Sequence, residues 1–155
     1  MITKRVSKSL YEKHDESAKE SAERMKEFFG VEEFTDGDNR YKVDRKGFKG
    51  GEHICNVEVE VKMIWKKGLS DFPYDEINLP GRKKKYLELD KPTSFVIFSK
   101  DMQGAVVFTD EVVKDCKMVE VKNKYCPSGE MFFKIPLKKA THVVLNDKGI
   151  FVPNQ

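Results

Sequence analysis

The chain has 155 residues and a formal net charge of +3, and 35% of its residues are charged. This length predicts one domain, spanning residues 1–155, that can bury a real hydrophobic core. The small net charge excludes a polycation, so any affinity for nucleic acid must come from a local basic patch.

Cysteine usage and hydropathy bear on the cellular compartment. The sequence has no run of roughly 18 apolar residues that could cross a bilayer, and its first residues lack the apolar core of a signal peptide. Its cysteines are odd in number and scattered (Cys55, Cys116 and Cys126), which favours reduced thiols. We therefore expect a cytoplasmic protein with no membrane partner.

The first part of the chain predicts a helix followed by strands. Ser9 to Phe29 repeats apolar residues at helical spacing, with Ser9 as the N-cap and Gly30 as the stop. The segments predicted next are an acidic turn-rich stretch over 32–39, a short strand over 40–44, a hairpin connection over 47–51 and a long strand over 54–65.

The second part of the chain is richer in strands. Its predicted elements are a basic turn or short helix from Arg82 to Leu89, strands over 93–99 and 105–109, a helical turn starting at Thr109 or Asp110, strands over 117–122 and 130–135, and a short apolar segment over 140–145. Helices and strands together indicate the α/β class.

The most informative stretch is 54–63, which alternates strictly between apolar and polar residues. Val57, Val59, Val61 and Met63 lie on one face, and Asn56, Glu58, Glu60 and Lys62 lie on the other. A period of two is typical of a half-buried strand. Two carboxylates and an ammonium in a row are costly to hold near the centre of a sheet without a functional reason.

Asp44 followed by Glu60-x-Lys62 resembles the active-site pattern of the PD-(D/E)XK (restriction-endonuclease-like) nucleases. The resemblance covers about residues 9–109. It implies a mixed central β-sheet with the N-terminal helix packed on it and the acidic site on an early hairpin. Val43 stands where the proline of the family name would precede Asp44.

The resemblance implies metal-dependent hydrolysis of phosphodiester bonds in nucleic acid, with DNA favoured over RNA. Mg²⁺ or Mn²⁺ would be held by Asp44, Glu60 and the backbone carbonyl of Val61, since such a cation prefers oxygen ligands and uses one or two carboxylates. Lys62 would orient the attacking water or stabilise developing negative charge. Glu58-x-Glu60 could carry the metal instead, in a shifted register. A homo-oligomer could bring two such sites to opposite strands.

The run from Arg82 to Lys85 is the best candidate for phosphate contacts, with Arg82, Lys83 and Lys85 as the predicted nucleic-acid-binding residues. Four contiguous cations repel one another unless an anion or solvent screens them. A solvated basic loop is an equally good interpretation. Tyr86 follows at once and could stack on a base or anchor the segment in the core.

Two other function classes remain open. In a non-catalytic binding module, the polar residues of 56–62 would be an exposed strand face and the basic loop would contact nucleic acid or an acidic protein. In a small structural or assembly subunit of the phage type, the apolar segments 95–98 and 131–133 could form an oligomer interface. Divalent-ion binding separates these classes, because only the nuclease requires it.

Overall fold

Two sheets and an N-terminal helix organise the chain. The structure, a computed structural model, describes residues 16–37, 43–122, 124 and 127–154. In chain order the strands are β1 (Glu33–Asp36), β2 (Arg45–Lys49), β3 (Glu52–Lys62), β4 (Glu76–Pro80), β5 (Thr93–Ser99), β6 (Gly104–Thr109), β7 (Met118–Val121), β8 (Glu130–Pro136), β9 (Thr141–Leu145) and β10 (Phe151–Pro153).

The larger sheet has seven strands in the order β1-β2-β3-β5-β6-β9-β10. Its strands pair antiparallel except at the centre, where β3 and β5 run parallel. The smaller sheet has three antiparallel strands in the order β4-β8-β7. The α/β class with a mixed central sheet is therefore confirmed.

The N-terminal helix is confirmed over the described part of its predicted range. Residues 16–22 form α1, and a 3₁₀ turn over Glu23–Met25 leads into α2 (Lys26–Phe29). Gly30 ends the helix with φ 67°, a left-handed conformation that glycine adopts without steric cost. The predicted cap at Ser9 lies outside the described residues.

Two apolar layers cover the two faces of the larger sheet. The helix buries Ala18, Ala22 and Met25 against one face, together with Val57 and Val59 of β3. The smaller sheet covers the other face. There the core joins Ile77, Leu79, Phe133 and Ile135 of the smaller sheet to Phe95 and Ile97 of β5. The alternating residues of β3 and β5 therefore contact different layers.

The predicted hairpin turn at Gly50-Gly51 is confirmed, but the predicted bounds of the elements over 40–51 were wrong. Residues 40–42 lie outside the described part, and Asp44 is a bend that precedes β2 rather than the end of a strand. Gly47 belongs to β2 and not to the turn, which is Gly50-Gly51. A side chain at Gly47 would place its Cβ 2.7 Å from Cys55 Sγ. The glycine thus permits close strand packing here.

The secondary structure predicted for residues 93–145 agrees more closely with the structure. The predicted strand 93–99 matches β5, and the strands predicted over 105–109, 117–122 and 130–135 match β6 to β8 within one residue. The segment 140–145, predicted only as a short apolar segment, contains β9. Thr109 caps α3 (Asp110–Lys114), because Val112 N donates to Thr109 Oγ1 at 3.4 Å. Three short strands, β1, β4 and β10, were not predicted. No helix in the described part of the chain is long and apolar enough to cross a membrane.

Candidate functional site

The polar face of β3 lies between the two sheets. Asn56 and Glu58 are only 3% and 4% exposed, so the expectation of a solvated strand face is wrong at these positions. Leu79 of β4 and Lys83 of the 3₁₀ helix Gly81–Glu88 lie beside Glu58. Only about 10 Å³ of cavity remains between these side chains and β3.

Asp44 contacts Glu58 across the β2–β3 hairpin. Arg45 pairs with Val57, which brings Asp44 opposite Glu58. The backbone N–H of Asp44 donates to Glu58 Oε2 at 2.7 Å, and the N–H of Val59 donates to Asp44 Oδ2 at 3.0 Å. The two carboxylates are therefore fixed in place by reciprocal hydrogen bonds, in which each accepts from a backbone N–H.

Lys83 completes this cluster, which we call the acid–lysine triad (Asp44, Glu58 and Lys83). Lys83 Nζ lies 2.8 Å from Glu58 Oε1. Its ammonium also lies 5.5 Å from the ring centroid of Tyr86, within the range of a cation–π contact. The basic 3₁₀ helix is thus docked on the polar face of β3 through an ion pair.

The charges of the triad are coupled. Burial raises the pKa of Glu58 to about 7, and the negative charge of Asp44 adds to this effect, while Lys83 opposes it. Burial lowers the pKa of Lys83, but the Glu58 carboxylate outweighs burial, and the net pKa of Lys83 is raised. Lys83 therefore stays charged, and Glu58 gains or loses its proton near neutral pH.

Glu60 and Lys62 lie farther along the same face of β3. They line a cleft of about 470 Å³ together with Tyr74, Asp75 and Glu76. Lys62 Nζ lies 6.0 Å from the Tyr74 ring centroid. The structure therefore brings Glu60 and Lys62 together in a cleft, whereas the contacts of Asp44 are with Glu58 and the backbone of Val59.

Val61 lies on the other side of the strand. The side chain of Val61 packs on the layer that includes the N-terminal helix. In the sheet, Val61 pairs with Phe98 of β5. A role of the Val61 carbonyl as a metal ligand stays a prediction.

The remaining predicted phosphate contacts differ in their surroundings. Arg82 is exposed and pairs with Glu130 at 3.4 Å. Lys85 is exposed, and its Nζ lies 5.1 Å from the ring centroid of Tyr86. Tyr86 is 6% exposed, so it anchors the basic helix in the core and does not offer a free stacking surface.

The sequence interpretation missed the contact between Lys83 and Glu58. The signal for Glu58 was present as the alternative register of the acidic pair. Nothing local pointed to Lys83, because its contact with Glu58 spans 25 positions and depends on how the 3₁₀ helix packs on β3.

The two carboxylates of the triad are of the ligand type that a hard divalent cation prefers. Mg²⁺ takes oxygen ligands and uses one or two carboxylates, keeping several waters, and Asp44 with Glu58 supplies two carboxylates in one place. Within the described residues no group of three or more His, Cys, Asp and Glu side chains is arranged to hold a metal. A cation here would therefore rely on the two carboxylates and water.

Comparison with known proteins adds no assignment. No family model matches the sequence, and no curated protein is significantly similar to it.

Proposed function

We propose that the protein is a metal-dependent nuclease that hydrolyses phosphodiester bonds of DNA, with the acid–lysine triad at the centre of its site. The single observation that carries this proposal is that Glu58 contacts both Asp44 and the ammonium of Lys83. Two carboxylates and a lysine are the functional groups that such a reaction requires.

The arrangement of the strands supports a restriction-endonuclease-like site. Both carboxylates lie on the β2–β3 hairpin, in a mixed sheet with the N-terminal helix on one face. The triad corresponds to the alternative register of the acidic pair. In it, Glu58 takes the role that the sequence resemblance assigned to Glu60. The lysine comes from a separate segment, since Lys83 and not Lys62 contacts the carboxylate.

The roles of the residues follow from their chemistry. Asp44 and Glu58 would hold Mg²⁺ or Mn²⁺, which when bound neutralises phosphate charge and lowers the pKa of a bound water. Lys83 stabilises the negative charge that develops on the phosphate. Glu58 is almost fully buried, so substrate reaches it only when the flexible Lys83 side chain moves aside. Glu60 lines both the small cavity at the triad and the larger cleft.

Cleavage assays with DNA in the presence of Mg²⁺ or Mn²⁺ test the proposal. Glu58→Gln and Lys83→Ala should each reduce divalent-dependent cleavage by roughly 100-fold or more. Lys84→Ala is the matched control, because Lys84 neighbours Lys83 and is exposed. Absence of cleavage with either metal, or full activity of Glu58→Gln, would contradict the proposal.

A non-catalytic binding module is the second candidate. The observation that favours it is that Glu58 and Lys83 compensate each other's charge in an ion pair. Glu58 is 4% exposed, and a buried ion pair is often purely structural. In that case the wild-type protein should bind DNA equally well with EDTA and with Mg²⁺, and should cleave none.

A further inference from the structure

A second cavity lies near the triad, and Tyr86 forms part of its lining. Its volume is about 360 Å³, within the usual range for a small-molecule site. We call it the basic cavity, and the residues that matter most in its lining are Lys46, His53, Lys85, Tyr86, Leu89 and Lys91. From its charge, its walls and its position, we propose that the basic cavity binds a nucleoside monophosphate.

The charge of the lining favours an anion. Three lysines line the cavity, and Asp90 is the acidic residue of the lining. Lys85 and Lys91 come from the two ends of the segment that follows Lys83, so their ammonium groups can converge on one ligand from different backbone positions. A phosphate group is the small anion best held by several lysines.

The walls of the cavity are suited to a planar apolar group. Leu89 presents apolar surface to the cavity and is 43% exposed, while Val43 and Tyr86 also line it but are only 2% and 6% exposed. A nucleobase would cover this surface while its phosphate contacts the lysines. Inorganic phosphate alone would leave the apolar wall in water.

A hydrogen-bond network fixes the inner wall. Asn56 Nδ2 donates to the carbonyl of Lys91 at 3.2 Å, which ties the mouth of the cavity to β3. His53 Nε2 lies 2.9 Å from Asn56 Oδ1 and 3.0 Å from the carbonyl of Cys55. Because both of these partners are acceptors, Nε2 carries the proton and donates. The wall is therefore preorganised, which reduces the entropy cost of binding.

The position of the basic cavity links it to the triad. Val43 of its lining directly precedes Asp44, and Asn56 lies two residues before Glu58 on the same strand face. Lys83 and Lys85 both lie over the ring of Tyr86. If the proposed nuclease function holds, on which this link rests, the cavity receives the nucleotide that flanks the scissile bond at the end of a DNA strand.

Binding measured by isothermal titration calorimetry in EDTA, where no metal-dependent cleavage occurs, tests the cavity alone. Adenosine 5′-monophosphate should bind saturably, and adenosine and inorganic phosphate should each bind at least tenfold more weakly. Lys85→Ala combined with Lys91→Ala should weaken binding of the monophosphate at least tenfold. Lys66→Ala with Lys67→Ala is the control, since it removes two exposed lysines from a loop outside this lining.

The outcomes separate this inference from the proposed function. No saturable binding of adenosine 5′-monophosphate, or equal weakening by the two double variants, overturns the inference even if DNA is cleaved. If the wild-type protein binds the monophosphate but cleaves no DNA with Mg²⁺ or Mn²⁺, the cavity is upheld and the nuclease is overturned. A 5′-phosphorylated oligonucleotide that displaces the monophosphate supports a strand end as the ligand. Failure to displace it overturns that assignment in favour of a free nucleotide.

Discussion

Lys83 Nζ lies 2.8 Å from Glu58 Oε1, and the carboxylate of Glu58 also accepts the backbone N–H of Asp44 at 2.7 Å. Glu58 is thus the link between the β2–β3 hairpin and the basic 3₁₀ helix. Its side chain is 5% exposed and that of Lys83 is 20% exposed, so neither charge is well hydrated. Each depends on the other for compensation.

Removing one partner of this pair should destabilise the fold. Lys83→Ala leaves the Glu58 charge buried and uncompensated, and we expect a loss of about 3 kcal/mol in the free energy of unfolding. Lys84→Ala should change it by less than about 0.5 kcal/mol because that side chain is exposed. Urea unfolding gives both values. Replacing both partners, with Glu58→Leu and Lys83→Met, should cost less than Lys83→Ala alone. A larger cost for the double variant would show that the pair contributes net stability.

The raised pKa of Glu58 predicts that stability falls as pH rises. Its folded-state pKa is about 7, above the ordinary value of 4.5 expected in the unfolded chain, so the folded state binds the extra proton between these pH values. The stabilisation is complete below pH 4.5 and is lost as pH rises through 7. Between pH 5 and 8 the free energy of unfolding should fall by about 2 to 3 kcal/mol more in wild type than in Glu58→Gln.

This comparison isolates Glu58 from the other titrating groups. The raised pKa of Lys83 affects stability only at higher pH, outside this window. Thermal or urea unfolding at four or five pH values across the window provides the measurement. Parallel profiles for wild type and Glu58→Gln would mean that Glu58 is fully ionised in the folded protein.

Local patterns predicted much of the fold because they encode strand and helix periods directly. The alternation in β3 and the apolar run in β5 determine two neighbouring central strands, and the helical spacing before Gly30 determines the helix. β4 was missed because only two apolar residues, Ile77 and Leu79, show the alternation of a strand there, and they lie between a loop and a basic run. Its strand pairing comes from β8, more than 50 residues later.

The candidate site was predicted only in part because strand register is not local. The sequence predicted that Asp44 lies next to the strand that carries the two glutamates. It did not determine which glutamate Asp44 contacts. That choice is made by the pairing of Arg45 with Val57 and by the irregularity between Gly47 and Phe48. A shift of two residues changes the partner from Glu60 to Glu58 without changing the face.

Metal binding distinguishes these two registers. Glu58→Gln should weaken Mn²⁺ binding at least tenfold, because it removes a carboxylate that is fixed beside Asp44. Glu60→Gln should weaken it less, since Glu60 lines the neighbouring cleft. Electron paramagnetic resonance titration of free Mn²⁺ measures both affinities. The reverse order would restore the original pair of Asp44 and Glu60, with Lys62 as the accompanying lysine.

The salt dependence of DNA binding should separate the cations of the basic helix. Arg82→Ala and Lys85→Ala should each lower the slope of log affinity against log salt by up to about 0.9 for duplex DNA, because each exposed cation can neutralise one phosphate. Lys83→Ala should change the slope little, since its charge is compensated by the buried carboxylate of Glu58 in the free protein, whereas the pair of Arg82 with Glu130 is longer and more exposed. Fluorescence anisotropy in EDTA at four salt concentrations gives the three slopes without cleavage. A slope that falls as much for Lys83→Ala as for Lys85→Ala would mean that Lys83 leaves Glu58 to contact phosphate when DNA binds.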